Sequence, residues 1–194
     1  MEAAQAYIDS SKKQFLYYKT LAEKAMAQLE PQQLFYAANE DTNSIALIVK
    51  HIVGNMLSRW TDFLTTDGEK EWRNRDDEFQ DPYENVKIMM QQWEEAWAVL
   101  FTALDTVTPQ NLGTIIYIRN EGHTVTEAIN RQLAHYPYHV GQIVFYAKML
   151  KQSAWQSLSI PKNNSAQYNS GKFAQEKETR NFTDAELNRL NDLK

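Results

Sequence analysis

The stretch TVTEAINRQLAHYPYHVGQIVFYAKMLK, residues 124–151, decides how this chain is read. Its apolar positions Val125, Ile129, Leu133, Tyr136, Val140, Ile143, Val144 and Ala147 recur at the spacing of one helical face. Thr124 and Glu127 stand at the separation of a capping box, in which each side chain satisfies the other residue's exposed amide. The pattern predicts a single helix from Thr124 to the neighbourhood of Lys151. His135 and His139 lie on it at positions i and i+4, with Cβ atoms about 5–6 Å apart. Two neutral imidazoles at that distance can grip one transition-metal ion. On a helical wheel they fall beside Ala128, Gln132 and Tyr146, at one edge of the apolar stripe. The plain alternative is a pair of hydrogen-bonded histidines at the core boundary. Because no Glu follows the first histidine, the pair is not the HExxH motif of zinc proteases.

Pro137 stands between the two histidines. A mid-helix proline removes an amide donor and crowds the preceding turn, at about 3 kcal/mol in an ordinary helix. It is expected to free the Leu133 carbonyl, bend the helix and alter the relative aim of His135 and His139.

Three earlier segments carry the same periodicity. The first runs from Ala3 to Leu29, with Ala4, Ile8, Ser11, Phe15, Tyr18, Ala22 and Ala25 on one face and Pro31 after its end. The second runs from Asn43 to Leu64 and carries a wide stripe of Ile45, Ile48, Val49, Ile52, Val53, Met56, Trp60 and Phe63. The third is expected to start at Asp81-Pro82-Tyr83-Glu84, with Asp as cap and Pro at the first helical position. Val86, Met89, Trp93, Trp97, Leu100 and Leu104 supply its buried face, and Thr108-Pro109 stops it. Four long amphipathic helices with little strand signal imply an all-α fold, a four-helix bundle. One short β-hairpin is expected before the last helix, from Thr114–Ile118, a turn over Arg119–Gly122, and His123–Val125. Residues 65–80 read as a long polar loop. The tail 153–182 is rich in Ser, Asn, Gln and Lys and reads as irregular, and Thr183-Asp-Ala-Glu186 can cap a last short helix. These features suggest one domain over 1–165 and a polar tail over 166–194.

Composition narrows the function. The 194 residues include no cysteine, which excludes thiolate catalysis and Cys-ligated metal. A net charge of −5 argues against a nucleic-acid partner, which calls for a basic face. No apolar run approaches the ~18 residues of a membrane span, and the N-terminus lacks a basic-then-apolar signal pattern. A cytoplasmic protein without membrane contact is the expectation.

The remaining candidates lie elsewhere in the chain. His51, on the second segment, shares a polar strip with Leu47, Asn55, Ser58 and Asp62. That strip can line a cleft or face water. His123 sits in the hairpin, where a turn or capping role is the stronger reading. Arg59, Arg73 and Arg75 surround the 65–80 loop together with Trp60 and Trp72. If they converge they can hold an anionic substrate group such as a carboxylate or phosphate. The alternative is a solvated loop with local pairs to Glu69, Glu71, Asp76 and Asp77. Tyr136 and Tyr138 flank the histidine pair and can orient ligands, donate a proton or simply pack.

Together the motifs resemble the DinB-like (damage-inducible protein B-like) superfamily, which includes YfiT-type metal-dependent hydrolases. The resemblance rests on His51 in Ile48-Val-Lys-His51-Ile-Val-Gly-Asn55, on Leu133-Ala-His-Tyr-Pro-Tyr-His-Val-Gly-Gln142, and on the hairpin before the last helix. The stretch from Ser58 to Asp76, Glu127–Gln132 and Leu158-Ser-Ile-Pro161 are similar to a branch of unknown function within it. The resemblance implies an up-down-down-up four-helix bundle. It implies a divalent transition metal, zinc or nickel foremost, held by His51, His135 and His139. It also implies a small-molecule substrate, anionic or thiol-bearing, a homodimer, and activity as a metal-dependent hydrolase or small-thiol S-transferase. Arg59, Arg73, Arg75 and Tyr138 are the candidate substrate contacts. The alternative is a non-catalytic dimeric bundle with a vestigial metal site.

Overall fold

The four long periodic segments fold as helices in the computed structural model, which describes residues 1–80 and 83–193. Helix α1 spans Glu2–Met26, α2 is a single turn at Pro31–Leu34, and α3 spans Ile45–Trp60. Helix α4 spans Val86–Asp105 and α5 spans Val125–Lys151. Between them strands β1 (Ile115–Ile118) and β2 (Glu121–Thr124) form the expected antiparallel hairpin. Helices α6 (Ser165–Phe173) and α7 (Phe182–Asp192) follow, so the tail carries more helix than its composition suggests. The chain is therefore mostly helical. Among the described residues no helix is long and apolar enough to cross a membrane.

Local chemistry sets the boundaries. Ser44 caps α3 by accepting the Leu47 amide at 3.2 Å. The helix ends at Trp60 rather than Leu64, because Thr61 turns extended and Asp62 enters the left-handed region at φ 48°. Helix α4 starts at Val86, with Asn85 accepting the Ile88 amide at 3.0 Å. The anticipated Asp81-Pro82 cap lies outside the described residues, and Tyr83 and Glu84 precede the helix. The Thr124–Glu127 capping box of α5 forms as read, and α7 is capped by Asn181 rather than Thr183.

Helix α1 packs along α5 and α3 along α4, while α3 also meets α5 and α1 meets α4. Phe15, Ile52, Met56, Trp93, Trp97, Leu100, Ile129 and Tyr136 fill the space between them, each at most 1% exposed. Every such side chain contributes roughly 1.5–3 kcal/mol of apolar burial. Trp97 packs edge-on against both Trp93 and Tyr136, at ring separations of 5.4 and 6.0 Å. Helix α7 lies on α1, and its Leu190 is fully buried.

The hairpin turn is tighter than the four residues expected. Ile118 pairs with Glu121, leaving only Arg119 and Asn120 in the turn, at φ 57° and 61°. Both positions favour Gly or Asn, so Arg119 is conformationally costly there. The Asp67 carboxylate compensates by accepting the amides of Arg119 at 2.8 Å, Asn120 at 2.9 Å and Glu69 at 2.7 Å. The Gly68 amide donates to the Tyr117 carbonyl at 2.8 Å, and the Ser58 hydroxyl donates to the Gly68 carbonyl at 2.7 Å. Residues 65–70 are thus a strap joining the hairpin to α3.

Burial opposes ionisation of Asp67, but its three amide donors and nearby Arg59 hold its carboxyl below the ordinary aspartate range. Its stabilising contribution is present above the unfolded value of about 3.9 and is lost as pH falls through the lowered folded value. Asp67→Ala should lower stability by about 2–3 kcal/mol at neutral pH. In chemical denaturation that deficit should narrow as pH drops below about 3.9.

Candidate metal centre

Helix α5 runs through Pro137 without a break. Tyr136 and Val140, both fully buried, hold this stretch against the core. The feared loss of aim does not occur, since His135 Nε2 and His139 Nε2 lie 3.1 Å apart. His51 enters from α3, 4% exposed, and places its Nε2 3.3 Å from that of His135. The three residues form a group whose ligand atoms all lie within 4.8 Å of one another. The polar strip of α3 therefore faces a cleft, and the sequence expectation of a solvent-or-cleft choice resolves to the cleft.

The outer nitrogen of every ring meets an oxygen. His51 Nδ1 lies 2.9 Å from Glu78 Oε2, His135 Nδ1 3.3 Å from Gln132 Oε1, and His139 Nδ1 2.8 Å from Gln142 Oε1. An oxygen acceptor keeps the proton on Nδ1 and leaves the Nε2 lone pair free. Three such lone pairs converge. Two nitrogens bound to one zinc ion at about 2.0–2.1 Å in a tetrahedral set are about 3.3 Å apart, close to the 3.1 and 3.3 Å that separate His135 from His139 and from His51. Burial, then the neighbouring His139 and His51, pushes the His135 pKa down to about 3. Burial also lowers His139, against the opposing bond to Gln142. Both rings are thus neutral at physiological pH, as metal ligands must be.

Glu78 was not foreseen. It sits in a 3₁₀ turn, Asp76–Phe79, that folds back on α3, and it is 5% exposed. Arg73 grips it with two bonds, Nε to Oε1 at 2.7 Å and Nη2 to Oε2 at 3.0 Å. Burial raises the Glu78 pKa, but the bonds from His51 and Arg73 outweigh it and the carboxyl sits below its usual range. Phe79 stacks on the His51 ring at 4.9 Å. Gly54, one turn after His51, makes room for this arrangement, because a Cβ there would lie 2.2 Å from Glu78 Oε1. Nothing local distinguishes Glu78 from the neighbouring Asp76 and Asp77 in sequence. Gln132 and Gln142 were findable, since each stands three residues from a histidine on the same helical face.

A cavity of about 440 Å³ opens beside His51 and His135. Its wall includes the anticipated Arg59, Arg73, Arg75 and Tyr138, and also Asn55, Gln132, Arg119 and Arg131. Arg59 is 7% exposed and pairs with Glu69, and Arg73 is held between Glu69 and Glu78, while Arg75 and its neighbours at 74, 76 and 77 remain exposed. Glu69 takes Arg59 at 3.0 Å, Arg119 at 3.1 Å and Arg73 at 3.5 Å. Tyr138 is exposed with its ring 4.9 Å from that of His139. Tyr136 instead belongs to the core. Its hydroxyl accepts from Trp60 Nε1 at 3.1 Å and donates to Asn55 Oδ1 at 3.2 Å, and burial pushes its pKa up. His123 lies on β2 opposite Ile116, apart from the three-histidine group, and Trp72 is exposed.

Residues 2–164 match DUF1572, a family described as protein of unknown function. The chain belongs to this family. Comparison with curated proteins and with solved structures finds no match. The three histidines, Glu78, Gly54 and the five cavity arginines all lie within the DUF1572 region, whereas α7 lies beyond it.

Gly54→Ala should displace Glu78 and lower stability by about 1–3 kcal/mol. Thermal denaturation measures the loss, and ¹⁵N imidazole NMR should show His51, but not His139, losing its fixed Nδ1–H tautomer.

Proposed function

We propose that this DUF1572 protein is a divalent-metal-dependent enzyme of the DinB-like type. The observation that carries the reading is the convergence of three Nε2 atoms whose outer nitrogens are each tied to an oxygen. His51, His135 and His139 would hold the ion, and Glu78, Gln132 and Gln142 would orient them. Three neutral imidazoles leave a position open, the donor set of catalytic rather than structural zinc. Zinc or nickel suits these nitrogen ligands. A bound ion of this kind supplies Lewis acidity and eases deprotonation of water or a thiol.

The chain's own groups divide the remaining work. The cavity beside His51 and His135 would receive the substrate, and its arginines would orient an anionic group. Tyr138, exposed at the rim, would help close the site over a bound molecule. Hydrolysis and transfer of a small thiol are the two reactions that this donor set and wall support. The helix pairing of α1 with α5 and of α3 with α4 supports the up-down-down-up bundle of the DinB-like type.

Elemental analysis of untagged protein purified in metal-free buffer and titrated with zinc or nickel tests the reading. Near-stoichiometric metal is expected for the wild type. His135→Ala and His139→Ala should lose most of it, and Glu78→Gln should weaken affinity about 10–100-fold. A wild type that holds no metal at micromolar excess would sink the proposal.

A further inference from the structure

Five of the chain's seven arginines, at positions 59, 73, 75, 119 and 131, line one cavity beside His51 and His135. None of its thirteen lysines is among the lining residues, in a chain whose net charge is −5. Among the described residues no carboxylate lines the wall either. The two acidic partners, Glu69 and Glu78, stand behind it. Five guanidinium groups thus border one small space that no carboxylate of the described residues lines.

The arginines fall into two sets. Arg59 and Arg73 are pinned by Glu69 and Glu78, with side chains 6% and 2% exposed. They belong to the frame. Arg75 and Arg131 are exposed and, among the described residues, form no ion pair or hydrogen bond through their side chains. Arg119 lies between these cases, paired with Glu69 yet 49% exposed. It is also held in a left-handed turn conformation that an arginine adopts at a cost. Arg131 is close enough to Arg59 to repel it. Like charges gathered on a concave wall focus a positive potential into the space they enclose. The exclusive use of Arg points to planar, two-oxygen groups, which a guanidinium grips bidentately and an ammonium does not.

We infer that this cavity binds a small organic dianion, with Arg75 and Arg131 gripping its carboxylate or phosphate oxygens beside His51 and His135. The inference rests on the proposed metal site for the chemistry but not for the binding. A volume of about 440 Å³ suits a metabolite-sized molecule. Carboxylate and phosphate share the recognition chemistry, so the choice between them is left to measurement.

Calorimetry on the full-length, untagged protein at low ionic strength tests the inference with four probes: succinate, inorganic phosphate, acetate and neutral succinamide. Succinate or phosphate should bind at least about tenfold more tightly than acetate, and succinamide should not bind. The Arg75→Gln/Arg131→Gln double variant should lose about tenfold or more in dianion affinity while keeping the wild-type metal content and melting temperature. Preference for succinate identifies a carboxylate substrate, and preference for phosphate a phosphorylated one. The inference is overturned if dianions bind no better than acetate or succinamide, or if the double variant binds like wild type. His139→Ala, outside the cavity wall, separates the two proposals: it should lose metal yet still bind the dianion. Retained metal with no dianion binding would sink this inference alone.

Discussion

The buried carboxylate of Glu78 is the constraint on which the site depends. An unpaired carboxylate taken from water costs several kcal/mol, and removing either partner of a buried pair is correspondingly harmful. Here the charge is closed on one side by the two-pronged Arg73 and on the other by His51. Gly54 supplies the notch that admits it against α3. Glu78 and Phe79 reach His51, so the 3₁₀ turn that carries them is tied to α3 there, with Arg73 drawn in alongside. The direction of the His51 ring, the stacking of Phe79 and the position of Arg73 follow from this one placement.

The charges are layered. Carboxylates lie behind and guanidinium groups in front, with Glu69 shared by three arginines drawn from α3, the following loop and the hairpin turn. Glu69 therefore does for the wall what Glu78 does for His51. It holds cations close together that would otherwise separate. The left-handed Arg119 is tolerable because Asp67 takes both turn amides, so the strain at that residue is offset by the strap beneath it.

Most of the helical layout was legible because apolar spacing reports directly on which face is buried. The capping box at Thr124, the stripe through Trp93 and Trp97, and the histidine pair on α5 needed nothing more. Boundaries depended on single backbone choices, such as Asp62 turning left-handed, that no periodicity encodes. From its own helix His51 was legible only as part of an ambiguous polar strip, and the resemblance alone made it a ligand candidate, since its partners come from a helix 84 positions away. Glu78 was illegible for a stronger reason. Its role is set by burial and by Arg73, while its sequence neighbours are equally acidic. Pro137 leaves the two imidazoles aimed together, beside the fully packed Tyr136 and Val140.

The position of the three imidazoles between helices has a mechanical consequence. Two come from α5, which packs along α1, and the third from α3, which packs along α4. The group thus straddles the seam between two helix pairs, and anything that engages all three rings stitches one pair to the other. Such a clasp shortens no loop within either pair, so its grip and the closeness of the halves are one linked equilibrium.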